Sequence, residues 1–246
     1  MSKNIFITGV SSGIGLALAE EFLRRNNTVY GLSRRKPVQL MGHPQFQFKQ
    51  IDLELLEGTK PEIKELLKDA PQLDLVILNA AILGPIADLA ETSLHEVKRV
   101  MDINLWANKV VLDCFTELAL PVTQVVAISS GAASSANRGW NSYSISKAAL
   151  NMLIALYAAE QMDTHFTALA PGIVDTPMQA ELAEVPHDGR FNSLETLRQA
   201  RGTPMMPEPE EAAERLITAF ESCKHHSSGS FLDVNSLVRR SFFSHA

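Results

Sequence analysis

The apolar run Asn4-Ile5-Phe6-Ile7 passes straight into Thr8-Gly9-Val10-Ser11-Ser12-Gly13-Ile14-Gly15, and from there into apolar residues at helical spacing, Ile14, Leu18 and Phe22. This feature constrains the fold more than any other. A strand that turns through glycines into a helix gathers free backbone N–H groups and the positive end of a helix dipole at one point. Glycines there let the backbone approach a bound pyrophosphate closely. The pattern predicts a strand–helix unit with a phosphate site at its turn; a glycine-rich turn without ligand is the plainer alternative.

The rest of the chain repeats the alternation. Further strands are expected at Thr28–Leu32, Phe46–Ile51, Leu73–Leu78, Val122–Ile128, Phe166–Leu169 and Phe231–Val234. Helices are expected over Ile14–Arg25, Gly58–Lys68, Ser93–Ile103, Trp106–Leu118, Asn141–Met162 and Glu208–Ser222. Strands separated by helices imply a parallel sheet with right-handed crossovers, covered on both faces. The expectation is a single α/β domain over residues 1–246, a doubly wound Rossmann sheet of about seven strands. The 46% hydrophobic content supplies its core. Residues 176–207 break the rhythm with Pro177, Pro186, Gly189, Gly202, Pro204 and Pro207 and leave room for at most two short helices. Such a connection after a strand is expected to be a substrate lid, with a passive surface excursion as the alternative.

Chemistry enters at Tyr143 and Lys147. Residues four apart share one helix face, and Ser130 closes the buried-strand pattern Val125–Ile128 with Ser129. A phenol, an ammonium and a hydroxyl can then meet one carbonyl oxygen at the carboxyl end of the sheet, where open α/β folds bind ligands.

Composition narrows the classes. A net charge of −6 argues against nucleic acid as the main ligand. Cys114 and Cys223 are too few for a disulfide framework or a zinc site, and no metal is expected. No leader and no long apolar run is read, so no membrane association is expected and the assigned location is cytoplasmic.

With these elements in place, the chain resembles the short-chain dehydrogenase/reductase family over essentially its full length. The resemblance rests on Thr8-Gly9-(x3)-Gly13-x-Gly15, Asp52, Asn79-Ala80-Ala81, Asn104, Ser130, Tyr143-x3-Lys147 and Pro171-Gly172-Ile173-Val174-Asp175-Thr176. Ala81 stands where the family usually has glycine. The resemblance implies that Tyr143 is the general acid for carbonyl reduction, with Lys147 holding the nicotinamide ribose and Ser130 bonding the substrate oxygen. A phenol titrates near about 10; the Lys147 ammonium and a positive nicotinamide are expected to lower that value.

Asn104 would support a water relay behind Lys147, or act only as a helix-breaking cap. Gly9, Gly13, Gly15 and Ile14 would shape the pyrophosphate turn. Asp52 would reach the adenine, unless it is an ordinary helix N-cap. Asn79, with Ala80 and Ala81, would line the adenine ribose. Ile173 and Thr176 would meet the carboxamide, with Pro171 and Gly172 shaping that loop.

The second strand ends Leu32-Ser33-Arg34-Arg35. NAD-preferring enzymes tend to place an acid there, whereas a guanidinium fits a 2′-phosphate bidentately. NADP(H) is therefore expected, with Arg34 as the main contact, Ser33 and Arg35 beside it, and Ser11 or Ser12 adding a hydroxyl. The alternative leaves both arginines as loop solvation.

Within the family the resemblance is to the sepiapterin reductase and benzil reductase branch, carried by Gly139-Trp140-x2-Tyr143, Met178-Gln179 after Thr176, and Ser228-Gly229-Ser230-Phe231-Leu232-Asp233. It implies an NADPH-dependent reductase of ketones or vicinal dicarbonyls. The segment after the last strand, Val234-Asn235-Ser236, lacks the acid that holds a pterin, so a dicarbonyl is favoured. Pocket candidates are Trp140, Ile82, Leu83, Met178 and Phe191. The competing readings are a catalytically silent NADP-binding regulator and an NAD-linked alcohol dehydrogenase. A homodimer or homotetramer is expected through the helices at Trp106–Leu118 and Asn141–Met162. The tail at 236–246 yields no role.

Overall fold

The structure, a computed structural model, describes residues 2–186 and 189–237. The strands are β1 Asn4–Thr8, β2 Thr28–Ser33, β3 Phe46–Gln50, β4 Leu75–Leu78, β5 Gln124–Ile128, β6 His165–Ala170 and β7 Ser230–Asp233. Among the described residues these seven form one parallel sheet in the order β3-β2-β1-β4-β5-β6-β7. The helices are α1 Gly13–Arg24, α2 Leu56–Leu67, α3 Leu94–Met101, α4 Ala107–Glu117, α5 Asn141–Glu160, α6 Pro177–Ala183, α7 Asn192–Ala200 and α8 Pro209–Cys223.

Strands β4 and β5 are buried at every position. That is the signature of a parallel sheet with both faces covered, and it explains their unbroken apolar sequences. One face packs Phe6, Leu32, Val76 and Val125 in a common core with residues of α2, α4 and α5, including Cys114. The other packs Ile5, Ile7, Val29 and Val126 with Leu18 and Phe22 of α1 and Leu216 and Phe220 of α8. Each such fully buried large side chain contributes about 1.5–3 kcal/mol by leaving water. The strand order reverses between β1 and β4, and the crevice outside their carboxyl ends is the switch point where such sheets take ligands.

Two expectations change. The helices expected over Ser93–Ile103 and Trp106–Leu118 are one continuous run, because a π-helical turn at Asp102–Trp106 joins α3 to α4. The strand expected from Leu73 begins regular pairing at Leu75, with Leu73 making only an isolated bridge to Val122. The segment at 176–207 does contain two short helices, α6 and α7. Its base is tied where Asp175 N donates to Pro207 O at 2.9 Å, and where Arg201 pairs with Asp175 at 3.2 Å. No helix among the described residues is long and apolar enough to cross a membrane. The end of the tail, with Arg239, Arg240, Phe242 and Phe243, lies outside the described residues.

Candidate active site

The turn from β1 into α1 leaves no room for side chains. A Cβ on Gly15 would lie 2.3 Å from Gly9 O and 2.4 Å from Asn79 Nδ2, so the helix start and the strand end touch only because Gly15 is glycine. Gly9 and Gly13 hold φ of +79° and +57°, the left-handed region that favours glycine. Ser12, at the N-cap of α1, makes no side-chain capping bond. The N–H groups of the first helical turn therefore face the cleft without a cap. A phosphate cradle needs these features, and the residues present fit a dinucleotide.

Asn79 completes the turn from the other side. Its Nδ2 donates to Thr8 O at 3.0 Å, while the backbone N of Asn79 and of Ala80 each donate to Thr8 Oγ1 at 2.9 Å. The Asn79 amide thus clamps β1 to β4, and its residue still lines the cleft. Asp52 lines the cleft too. Its Oδ1 accepts from Glu54 N at 3.1 Å, whereas the N-cap of α2 is Leu55, so the N-cap alternative for Asp52 is wrong. The helix begins later because Asp52 first closes its own side-chain turn.

At the mouth stand exposed Arg34 and Arg35, both lining the cleft. Buried Ser33 Oγ donates to Arg35 O at 2.7 Å, and Gln50 Nε2 donates to Arg34 O at 2.9 Å, fixing this loop's backbone. Arg35 Nη2 reaches Ser12 Oγ at 3.4 Å, across the phosphate turn.

The cleft, about 380 Å³, runs from this mouth to Ser130, Tyr143 and Lys147. Tyr143 is 8% exposed and Lys147 is 2% exposed. Tyr143 lines the cleft beside Ser130, whose side chain draws the phenol's pKa downward, and Ser130 Oγ accepts from Ala132 N at 3.1 Å. Lys147 Nζ donates to Ile128 O at 2.7 Å and lies 5.7 Å from the centre of the Tyr143 ring.

The protonation picture differs from the expectation. Burial pushes the Tyr143 phenol above its ordinary value, and only the Ser130 side chain pulls the other way. Burial also lowers Lys147 to about 8. Removing water disfavours the charged form of each group, phenolate and ammonium alike. In the protein alone, this cost exceeds the attraction between them.

Asn104 is fully buried and caps no helix; it sits inside the π-turn. Its side chain exchanges hydrogen bonds with Ile82, accepting from its N at 2.8 Å and donating to its O at 2.9 Å. Asn104 Nδ2 also donates to Ser146 Oγ at 3.0 Å. Asn104 thereby joins the loop after β4 to the helix that carries Tyr143 and Lys147.

Of the remaining expected positions, Ser11, Ile14, Ala81, Pro171, Gly172, Ile173 and Thr176 line the cleft. So do the pocket candidates Trp140, Ile82, Leu83 and Met178. Phe191 does not. It is 7% exposed and packed in an apolar cluster with Leu83, Tyr143, Leu182 and Leu194. A Cβ on Gly139 would meet its ring at 2.6 Å, so Phe191 fills the notch above that glycine.

Leu182 and Leu197 also line the cleft, and Ser193 lines a second cavity; none of the three was expected from the sequence. Met178 and Leu182 are spaced i, i+4 and Leu194 and Leu197 i, i+3, an amphipathic signal legible within residues 176–207.

A family model described as short chain dehydrogenase matches residues 3–186. The benzil reductase ((S)-benzoin forming) of Bacillus subtilis is 31% identical, covering 94% of this chain and 98% of its own. The Saccharomyces cerevisiae protein of the same description is 30% identical over 87% of this chain and 88% of its own. A solved short chain dehydrogenase/reductase from Saccharomyces cerevisiae matches with a TM-score of 0.83 at 25% identity, covering 96% of this chain and 98% of that one. The chain therefore belongs to the short-chain dehydrogenase family and is an oxidoreductase of the kind that uses a nicotinamide cofactor.

Proposed function

We propose that this oxidoreductase reduces a ketone or vicinal dicarbonyl of the benzil type, using NADPH, with Tyr143 as proton donor. The observation that carries the reading is buried Tyr143, which lines the same cleft as Ser130, Lys147 and the glycine turn. Similarity to two benzil reductases supports the substrate class. Arg34 and Arg35 at the mouth, with no acid at Ser33, support NADPH.

A nicotinamide cofactor held in the cleft would supply hydride to the carbonyl carbon. Ser130 Oγ and the Tyr143 hydroxyl hold the carbonyl oxygen, and Tyr143 gives up its proton as negative charge grows there. The raised pKa keeps the phenol protonated until that moment. The Lys147 ammonium offsets the charge left on the phenolate, and its N–H groups not bonded to Ile128 O would hold the nicotinamide ribose. Asn104 keeps the helix of Tyr143 and Lys147 in register with the loop after β4. Gly9, Gly13 and the N-terminus of α1 would hold the pyrophosphate, Asp52 the adenine end, Ile173 and Thr176 the carboxamide. Residues 176–207 act as the lid.

The test is consumption of NADPH by the purified protein with benzil, repeated with NADH. Turnover with NADPH and benzoin as product is expected. Absence of turnover with benzil and with other vicinal diketones would overturn the reading.

We also propose a cytoplasmic homo-oligomer joined through α4 and α5, since Met152 and Leu156 on α5 stand 61% and 53% exposed. A monomer by light scattering would retire it.

A further inference from the structure

Trp140 stands at the junction of two spaces. It lines the cleft of about 380 Å³ and also a wider cavity of about 930 Å³. The two share only Ser130, Pro171, Gly172, Ile173, Trp140 and Leu197 among the described residues. Pro171 to Ile173 belong to the loop after β6; Trp140 and Leu197 form the opposite wall, on the lid side.

This wall is fixed. Trp140 Nε1 donates to Ser193 Oγ at 2.7 Å, and the indole lies 5.9 Å from the Tyr143 ring at a 56° tilt. Ser193 belongs to the first turn of lid helix α7. That turn is seated because Phe191 packs over Gly139, where φ is +94° and a Cβ would collide with the ring. The Gly139-Trp140 corner and the start of the lid helix interlock.

Building on the proposed carbonyl reduction, we propose that the Trp140–Ser193 pair is the specificity-determining wall of a two-lobed substrate site. One substituent of the reacting carbon enters the wide cavity, past Ala132 and Met205. The other stays in the narrow cleft, beside Met178 and Leu182. The substrate class is a carbonyl compound with two bulky, flat substituents of unequal size.

Ser130 and Tyr143 hold the carbonyl oxygen, and hydride reaches the carbon from one face only. The freedom left is to exchange the two substituents, and that exchange inverts the alcohol formed. In benzil the reacting carbon carries a phenyl and a benzoyl group. The handedness of the benzoin therefore reports which group lies in the wide cavity. Trp140 touches the substrate; Ser193 is a positioning residue that acts through it.

The test compares Ser193→Ala, Ser193→Thr and Trp140→Phe with the wild type. Benzil and the small diketone 2,3-butanedione serve as substrates, and benzoin is resolved on a chiral column. Losing this half-buried hydrogen bond costs about 1 kcal/mol, or roughly fivefold. Ser193→Ala and Trp140→Phe are each expected to lower the benzoin enantiomer ratio by at least about fivefold, and to raise KM for benzil more than they lower kcat. The loss in kcat/KM should be larger for benzil than for butanedione. Ser193→Thr, which keeps the acceptor, should retain the wild-type ratio. The Ser193→Ala/Trp140→Phe double variant should match Trp140→Phe alone, because Ser193 acts only through the indole. Benzoin affinity by calorimetry should fall with the ratio. An unchanged enantiomer ratio in both single variants, with wild-type turnover intact, would overturn this inference alone. No diketone turnover by wild type would overturn the functional reading and this inference together.

Discussion

The two ends of the cleft are built by different means. At the nucleotide end the shape is made by backbone: a glycine turn, a helix N-terminus, and an Asn79 amide bonded to main-chain oxygen. At the substrate end the walls are side chains from distant segments, Trp140 before α5, Met178 and Leu182 on α6, and Leu197 on α7. Backbone geometry tolerates few residue types, so it leaves a short fixed pattern in the sequence. A wall of apolar side chains can be rebuilt from many sequences of similar volume. The first end is therefore suited to a constant ligand and the second to a variable one.

Tyr143 sits at the seam, and its replacement has the largest expected effect. Tyr143→Phe removes the proposed proton donor while leaving the ring against Trp140. The expected loss in kcat is about 10³-fold, in the range for general acids, with NADPH affinity changed by less than about threefold. Turnover equal to wild type would mean that another group donates the proton.

The glycines test the comparison directly. Gly15→Ala places a methyl 2.3 Å from the Gly9 backbone oxygen and 2.4 Å from Asn79 Nδ2, which is tied to Thr8 O. A loss of about 3 kcal/mol, the upper end for overpacking, is expected in urea unfolding, together with loss of NADPH binding by calorimetry. Gly202 in the segment at 176–207 also has a left-handed φ, +73°, but a methyl there would meet nothing within 4 Å, so Gly202→Ala should cost only about 1–2 kcal/mol. Equal costs at the two sites would erase the distinction between the ends.

The same contrast explains what the sequence revealed. The alternation of strands and helices, the glycine turn and the Ser130, Tyr143 and Lys147 group were legible because each depends on period, spacing or an absent side chain. The π-turn at Asp102–Trp106 was not. One extra residue in a helix leaves no gap in the apolar pattern, and its cause lies in the tertiary bonds of Asn104 to Ile82 and Ser146. Phe191 was read as a pocket wall because a large apolar residue in a lid suits either role. Only the notch at Gly139 assigns it to packing. The direction of the Tyr143 shift was missed for a similar reason. Spacing puts a cation near the phenol, but desolvation depends on everything else packed around it.

Lys147 sharpens the comparison by showing what the seam costs the fold. Its value is lowered from 10.5 to about 8 by burial. Below pH 8 both folded and unfolded chains carry the charge, and the folded chain bears the full desolvation penalty. Between about 8 and 10.5 the unfolded chain binds more protons, so this contribution to stability rises with pH and the penalty vanishes by 10.5. Lys147→Met is therefore expected to be more stable than wild type at pH 7, by about 3 kcal/mol from the size of that shift. The advantage should shrink steadily toward pH 10.5. The raised Tyr143 value is present in both proteins and cancels in the difference. A stability difference independent of pH between 7 and 10.5 would show that the Lys147 side chain is solvated in the folded protein.

Arg34 and Arg35 carry the smallest expected effect and the most pointed one, because here the nucleotide end relies on side chains. Both are exposed, so each contact to a 2′-phosphate is screened and worth about 1–2 kcal/mol even when charge-assisted. Arg34→Ala and Arg35→Ala should each lower the NADPH-over-NADH preference in kcat/KM roughly tenfold, with NADH turnover little affected. Arg35 also touches Ser12 Oγ at 3.4 Å, so its loss frees a hydroxyl that can take over part of the phosphate contact. Arg34 is expected to be the main phosphate contact, and its replacement should show the larger drop. The difference between the two should shrink in high salt, where screening weakens both contacts. A preference unchanged in the double variant would place NADPH selectivity in the backbone of the turn and make the nucleotide end uniform in kind.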